Sequence, residues 1–235
     1  MATIAGKSVL VTGSNRGIGR ALVEEALRRG AGRVYAATRE PFAPSDERVT
    51  NLVFDVTDTA QIGRAVADVE SLDILINNAG AVQYDDLSDR SAIEQQLAVN
   101  FFGPYEVTQA LLPLLTQARG AIVNNLSLNA LAPMPLIPAY SISKAAAFSL
   151  TQSLRALLAG KGVSVHAVIT GPTDTDMNRG IDIPKAAPEL VAAAILDGVE
   201  RDEEEIFPDP MSSDLGESWQ AGATKALERS LAALA

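Results

Sequence analysis

The sequence contains no cysteine and a single histidine, His166. Without cysteine the chain can form no disulfide, no thiolate metal site and no cysteine nucleophile. One histidine gives no support for a Ser-His-Asp triad, and with the missing cysteines it argues against a zinc site. We therefore expect no metal. His166 lies in the apolar run Val163–Val168 and is expected to be an ordinary strand residue.

Positive charge and long apolar runs are also scarce. The chain has 19 Lys and Arg against 29 Asp and Glu, a formal net charge of −10. This excess of acid argues against nucleic acid and anionic membranes as general partners. No apolar run approaches the roughly 20 residues of a membrane-spanning helix. A strand-like run begins at Lys7, which leaves no room before it for a secretory signal, so we expect a cytoplasmic protein.

Strand-like and helix-like stretches alternate along the 235 residues, of which 47% are hydrophobic. This alternation predicts an α/β fold: one domain over residues 1–235, with a Rossmann-type doubly wound parallel sheet and helices on both faces. Residues 178–188 hold Gly180, Pro184 and Pro188 and are expected to be irregular and mobile. The predicted strands are 7–12, 33–38, 49–54, 74–77, 121–126, 163–169 and a short last one at 206–208; the predicted helices are 20–29, 60–69, 91–115, 143–159 and 188–199.

A glycine-rich turn, Gly13-Ser14-Asn15-Arg16-Gly17-Ile18-Gly19, separates the first strand from the first helix. Backbone N–H groups and the dipole at a helix N-terminus favour an anion. Glycines also allow a tight turn and the close approach of a pyrophosphate. The spacing differs from the common G-x-G-x-x-G, so a turn that merely needs glycine is the alternative. The pattern predicts a phosphate-binding turn.

Tyr140 and Lys144 stand four residues apart, and Ser127 lies thirteen residues before Tyr140. On a helix this spacing puts the ammonium on the same face as the phenol, one turn away. A nearby cation favours the phenolate and lowers the tyrosine pKa from about 10 toward the range useful for acid-base catalysis. The pattern predicts proton transfer to an oxygen held by the serine hydroxyl. The alternative is an ordinary helix with a packed tyrosine and a solvated lysine.

In their order along the chain, these motifs resemble the short-chain dehydrogenase/reductase family. Thr12-Gly13-x-x-x-Gly17-Ile18-Gly19 is similar to the family's cofactor-binding turn, and Asn77-Asn78-Ala79-Gly80 to its motif after the fourth strand. The resemblance implies an oxidoreductase acting on CH-OH or C=O groups. Its catalytic tetrad is matched in order and spacing by Asn100, Ser127, Tyr140 and Lys144.

The end of the second strand indicates which dinucleotide is used. An acidic residue there would bond a ribose 2′-hydroxyl, but this chain has Thr38-Arg39, with Arg16 in the glycine turn. Guanidinium groups suit a phosphate, so we predict NADP (NADPH); an Arg39 that points elsewhere is the alternative. With the positions that the resemblance adds, the predicted cofactor-binding residues are Gly13, Asn15, Arg16, Gly17, Ile18, Gly19, Thr38, Arg39, Asp55, Val56, Asn78, Ala79, Gly80, Tyr140, Lys144, Gly171, Thr173 and Thr175.

The resemblance also implies a role for each member of the tetrad. Tyr140 exchanges the proton with the substrate oxygen, and Ser127 donates a hydrogen bond to the same oxygen. Lys144 lowers the pKa of Tyr140 and holds the nicotinamide ribose, while Asn100 anchors a water for proton supply. Two positions depart from the family pattern. Leu126 stands where a second serine is frequent, and Thr170 stands where proline is usual.

The substrate is predicted only as a small carbonyl or alcohol compound. The pocket is expected from Val82, Gln83, Asn129, Met134 and the 177–188 loop, and Leu131, Leu136 and Ile137 would make its approach apolar. By analogy with the family, a homo-oligomer, dimer or tetramer, is expected. One alternative function is an NADP-binding regulator or sensor without turnover, against which the complete Ser-Tyr-Lys set argues. A second is redox-neutral chemistry such as dehalogenation, against which the intact glycines argue.

Overall fold

A computed structural model describes residues 3–232 of the protein. Seven strands form one sheet in the order β3-β2-β1-β4-β5-β6-β7, and every neighbouring pair is parallel. The predicted doubly wound parallel sheet is thus confirmed. The strands are β1 (Ser8–Thr12), β2 (Arg33–Thr38), β3 (Val49–Val53), β4 (Ile74–Asn77), β5 (Ala121–Asn125), β6 (Ser164–Val168) and β7 (Glu205–Ile206).

Helices cover both faces of the sheet because successive strand residues point to opposite sides. Val9 and Val11 of β1 face one apolar cluster, whereas Leu10 between them faces another. The helices are α1 (Gly17–Arg28), α2 (Thr59–Val66), α3 (Arg90–Leu97), α4 (Gly103–Ala118), α5 (Pro138–Ala159), α6 (Pro188–Glu200), α7 (Pro210–Gln220) and α8 (Ala223–Ala232). Helices α1 and α6 cover the first side, and α2, α4 and α5 cover the second. None of the helices described in residues 3–232 is both long and apolar enough to cross a membrane.

Two of the predicted helices differ most from their predicted bounds. The single helix predicted over 91–115 was wrong, because a π-helical turn, Ala98–Phe102, separates α3 from α4. Such turns bulge a helix and often lie at functional sites. Helix α5 begins at Pro138, five residues before the predicted start, with proline in the first turn, where its missing N–H costs no hydrogen bond. Tyr140 therefore lies inside the helix.

The sequence alone predicts a solvated turn for the acidic run 202–205, and for Glu205 this prediction is wrong. The Glu205 carboxylate is fully buried and pairs with the Lys225 ammonium and the Arg155 guanidinium, each at 2.8 Å. Glu228 pairs with the same two cations. We call these four side chains the C-terminal ion cluster; it attaches α8 to α5 and β7. Nearby, Trp219 packs on Phe148 with ring centroids 5.5 Å apart.

Candidate active site

The glycine turn fits tightly against neighbouring backbone. Gly13 and Gly17 have φ values of 65° and 53°, a region that side chains disfavour. A Cβ on Gly19 would lie 2.1 Å from the Gly13 carbonyl oxygen, and one on Gly13 would lie 2.9 Å from Cα of Ala79. The turn leads into the N-terminus of α1, where unpaired N–H groups attract an anion. Glycine is therefore required by the packing of the turn, and the free N–H groups at the start of α1 fit a bound pyrophosphate.

Hydrogen bonds fix the turn against the segment after β4. The Thr12 hydroxyl accepts from the backbone N–H groups of Asn78 and Ala79, both at 3.0 Å. The Asn78 amide donates back to the carbonyls of Thr12 at 3.0 Å and Gly13 at 3.2 Å. Ser14, which the sequence interpretation left out, donates its hydroxyl proton to the Ala37 carbonyl at the end of β2. The two predicted motifs therefore form one unit.

We predict that Gly17→Ala destabilises the protein by about 1–2 kcal/mol, because a left-handed conformation strains any side chain. The new Cβ would also lie 3.0 Å from Cγ2 of Thr175, a predicted cofactor residue. Chemical denaturation measures the effect. Gly63→Ala is the matched control: nothing lies within 4 Å of its Cβ, and in helix α2 it should stabilise by about 0.5–1 kcal/mol. Equal effects at the two glycines would contradict the assigned strain.

The four predicted catalytic residues meet at the carboxyl edge of the sheet. Tyr140 and Lys144 lie one turn apart on α5, and Ser127 follows β5; all three are at most 9% exposed. Asn100 lies in the π-helical turn, 1% exposed. Its side chain accepts from the Ala81 N–H at 3.0 Å and donates to the Ala81 carbonyl at 2.9 Å and to the Ser143 hydroxyl at 3.0 Å. The π turn thus aims Asn100 at the segment after β4 and at α5.

The expected lowering of the Tyr140 pKa is not found. Burial raises the pKa of Tyr140 to about 12, opposed by a side-chain hydrogen bond from Ser127. The Lys144 ammonium lies 5.7 Å from the centre of the tyrosine ring and donates to the Asn125 carbonyl at 2.9 Å. Burial lowers the pKa of Lys144 to about 8. At neutral pH the phenol is therefore protonated and the lysine mostly charged.

The predicted adenosine-side residues are more exposed. Arg39 lies exposed just beyond β2, while the buried Thr38 donates its hydroxyl proton to the Glu40 carbonyl. Asp55 accepts from the backbone and hydroxyl of Thr57. Val56 contacts the start of α4, where a Cβ on Gly103 would lie 2.9 Å from its Cγ2. The exposed Arg39 is the candidate among these residues for contact with an external anion.

Arg16 pairs with the loop after β6. Its guanidinium lies 2.7 Å from the Asp176 carboxylate, which also pairs with Arg179 and whose pKa these cations lower. Asp176 is nevertheless exposed, as in a solvated loop. A cleft of about 470 Å³ lies between this loop and α1, with Arg20 and Lys185 among its lining residues. In residues 3–232 no group of three or more His, Asp and Glu side chains is arranged around a common metal position.

The first part of the loop after β6 is held by α7. The Gly171 N–H donates at 2.7 Å to the carboxylate of Asp209, which also caps α7. Buried Thr173 pairs with Ala186 as an isolated bridge, and its carbonyl accepts from Asn178. The sequence interpretation missed Asp209, although the Asp-Pro-x-Ser pattern is typical of a helix start.

Comparison with known protein families assigns the chain to a family. A family model described as short chain dehydrogenase matches residues 7–185. The chain belongs to the short-chain dehydrogenase family. It is 37% identical over 196 residues to 2,3-dihydro-2,3-dihydroxybenzoate dehydrogenase of Escherichia coli K12, covering 79% of this chain and 77% of that enzyme. It is 32% identical over 188 residues to estradiol 17-beta-dehydrogenase 2 of Rattus norvegicus, covering 73% of this chain and 49% of that enzyme.

Two further short-chain dehydrogenases resemble the chain. Short-chain dehydrogenase PC-15 of Penicillium crustosum is 39% identical over 188 residues, 72% of this chain and 66% of that protein. The matches thus span from half to two thirds of the rat and fungal proteins. A short-chain dehydrogenase of Burkholderia cenocepacia J2315, solved in complex with NADP, has a TM-score of 0.89 and 34% identity, covering 98% of this chain and 99% of that one.

Proposed function

We propose that this short-chain dehydrogenase is an NADP-dependent carbonyl reductase, acting on a ketone or aldehyde and reversibly on the corresponding alcohol. One observation carries the proposal: Ser127, Tyr140 and Lys144 are buried together at the edge of the sheet where the glycine cradle lies. The Burkholderia relative solved with NADP supports the choice of cofactor. The predicted homo-oligomer and cytoplasmic location stay predictions.

The residues present fit the dinucleotide. Gly13, Gly17 and Gly19 would admit the pyrophosphate, and Arg39 would meet the 2′-phosphate. When bound, the reduced nicotinamide supplies the hydride. The segments after β4 and β6, with Asn78 and Thr175, would hold the nicotinamide end of the dinucleotide. Arg16 is engaged by Asp176 at 2.7 Å, so we assign the main part of phosphate recognition to Arg39.

The proton chemistry follows from the buried side chains. A phenol with a pKa of about 12 keeps its proton at neutral pH and can give it to the more basic alkoxide formed from a carbonyl. The Ser127 hydroxyl donates to the same oxygen as its charge develops. The charged Lys144 stabilises the phenolate that remains. Asn100, buried and bonded to Ala81 and Ser143, fixes the segment beside Lys144. These states suit carbonyl reduction.

We predict that Arg39→Ala reduces the preference for NADPH over NADH by about ten- to a hundredfold. The estimate follows from one charge-assisted hydrogen bond of about 1.5–3 kcal/mol. The ratio of kcat/KM values for the two dinucleotides measures the change. Arg64→Ala, on helix α2, is the control and should leave the ratio unchanged. An unaltered preference in Arg39→Ala would assign the 2′-phosphate to another cation, with Arg16 tested next.

The proposed function is tested by following NADPH absorbance with a panel of aldehydes and ketones, with NADH in parallel. Turnover with NADPH is the expected result. Dinucleotide binding without turnover across the panel would favour the alternative regulator. Failure to bind either dinucleotide would overturn the proposal.

A further inference from the structure

Asn125, the last residue of β5, joins the ends of three neighbouring strands. Its side-chain amide donates to the Asn78 side-chain oxygen at 3.0 Å, in the segment after β4. Its side-chain oxygen accepts from the Thr170 hydroxyl at 2.6 Å, just after β6. Its backbone carbonyl accepts from the Lys144 ammonium at 2.9 Å. One residue therefore contacts both the cofactor-side segment and a predicted catalytic side chain.

The donors and acceptors in this series of hydrogen bonds can be arranged in only one way. The carbonyls of Thr12 and Gly13 only accept, so the Asn78 NH₂ group must face them and its oxygen must face Asn125. The Asn125 NH₂ group must then face Asn78, which leaves its oxygen toward Thr170. The 7% exposed Thr170 supplies the required donor. Asn78 cannot turn without losing both glycine-turn bonds. Its nitrogen fits beside Gly19 because glycine has no Cβ; one there would lie 2.6 Å from that nitrogen.

Thr170 supplies the last donor in this series of hydrogen bonds. Proline, which the family usually has at this position, has no hydroxyl. With proline there, the Asn125 side-chain oxygen would have no donor from the residue after β6. The backbone of Thr170 is also bonded to the segment after β5. Its carbonyl accepts at 3.0 Å from the N–H of Leu128, the residue after Ser127. The Thr170 hydroxyl thus adds a side-chain hydrogen bond to this backbone hydrogen bond, and both join the residue after β6 to the end of β5 and the segment that follows it.

We propose that Thr170 and Asn125 are positioning residues, which orient Asn78 under the glycine turn and place the carbonyl that holds Lys144. This inference rests on the proposed dinucleotide binding. The series of hydrogen bonds from Thr170 through Asn125 to Asn78 holds Asn78 in place against the glycine turn. Its loss should weaken dinucleotide binding more than it weakens the fold.

The test is fluorescence titration of NADPH and NADH on wild type, Thr170→Val, Thr170→Ser and Asn125→Leu, with thermal unfolding alongside. Thr170→Val should weaken binding of the preferred dinucleotide by roughly two- to tenfold, the range expected for one hydrogen bond. Thr170→Ser keeps the donor and should restore binding. Thr108→Val is the matched control, because this buried threonine also bonds an asparagine, Asn77 at 3.1 Å, inside the core. It should lower Tm comparably and leave binding unchanged.

Coupling between the two residues provides an independent measurement. Asn125→Leu should weaken binding at least as much as Thr170→Val, and the double variant should be no worse than Asn125→Leu alone. Unchanged binding in Thr170→Val, or fully additive effects, would overturn the positioning role while wild-type binding stands. Wild type that binds neither dinucleotide would overturn the proposed function and this inference together.

Discussion

Tyr140→Phe should lower kcat by about 10²–10⁴-fold or more, the contribution typical of general acid-base catalysis. The substitution removes one oxygen from a side chain that is 7% exposed, so packing is retained. No other phenol or imidazole lies on α5 or in the segment 127–137 to replace the proton donor. The measurement is steady-state turnover, together with dinucleotide titration. Affinity should fall far less than kcat.

Tyr35→Phe is the control for this change. Tyr35 is 3% exposed in β2 and belongs to the core cluster on the α2, α4 and α5 side of the sheet. The same loss of a hydroxyl there should leave kcat near the wild-type value. Turnover that survives in Tyr140→Phe would remove Tyr140 from the mechanism. A parallel loss of kcat in both variants would indicate a structural effect.

Lys225→Met should lower the free energy of unfolding by about 3–5 kcal/mol, because it breaks a buried ion network by removing one partner. The Lys225 ammonium is 0% exposed and lies within 3.0 Å of Glu204, Glu205 and Glu228. Without it, three carboxylates share the charge of Arg155 and the exposed Arg229. Urea denaturation measures the loss.

Lys161→Met, at an exposed turn after α5, is the matched control and should change stability by less than about 0.5 kcal/mol. The double variant Lys225→Met/Glu205→Gln should recover part of the loss, since it no longer buries the unpaired Glu205 charge. A Lys225→Met protein as stable as wild type would mean that water reaches the C-terminal ion cluster.

The parallel sheet could be predicted because its strands are short, apolar and rich in β-branched residues. Tyr140 and Lys144 could be paired from their spacing, which holds on a helix whatever surrounds it. The π turn at Asn100 could not, because residues 91–115 carry a helical pattern that a single inserted residue barely alters. The start of α5 at Pro138 was missed because the apolar pattern does not record it, although proline in the first turn is typical of a helix start.

Long-range polar contacts were the main omission. Glu205 appeared to end an acidic surface run, and its burial depends on Lys225 and Arg155, twenty and fifty residues away. The pKa of Tyr140 was predicted from the nearby charge alone, whereas burial has the larger effect. Asn125 was overlooked within the strand-like run 121–126, although an amide at a strand end needs partners from neighbouring strands.

The cap of α7 divides the loop after β6 into a part that is held by hydrogen bonds and a part that is exposed. Gly171 is held by Asp209, and Thr173 is held by Ala186, while Gly180 and Ile183 are exposed further along. A segment with few hydrogen bonds opens more readily than a segment on which many hydrogen bonds converge. Amide hydrogen exchange should therefore be slow at Gly171 and fast near Gly180. If the proposed function holds, we expect substrate to enter and leave past residues 177–184 while the part of the loop held by Asp209 stays in place.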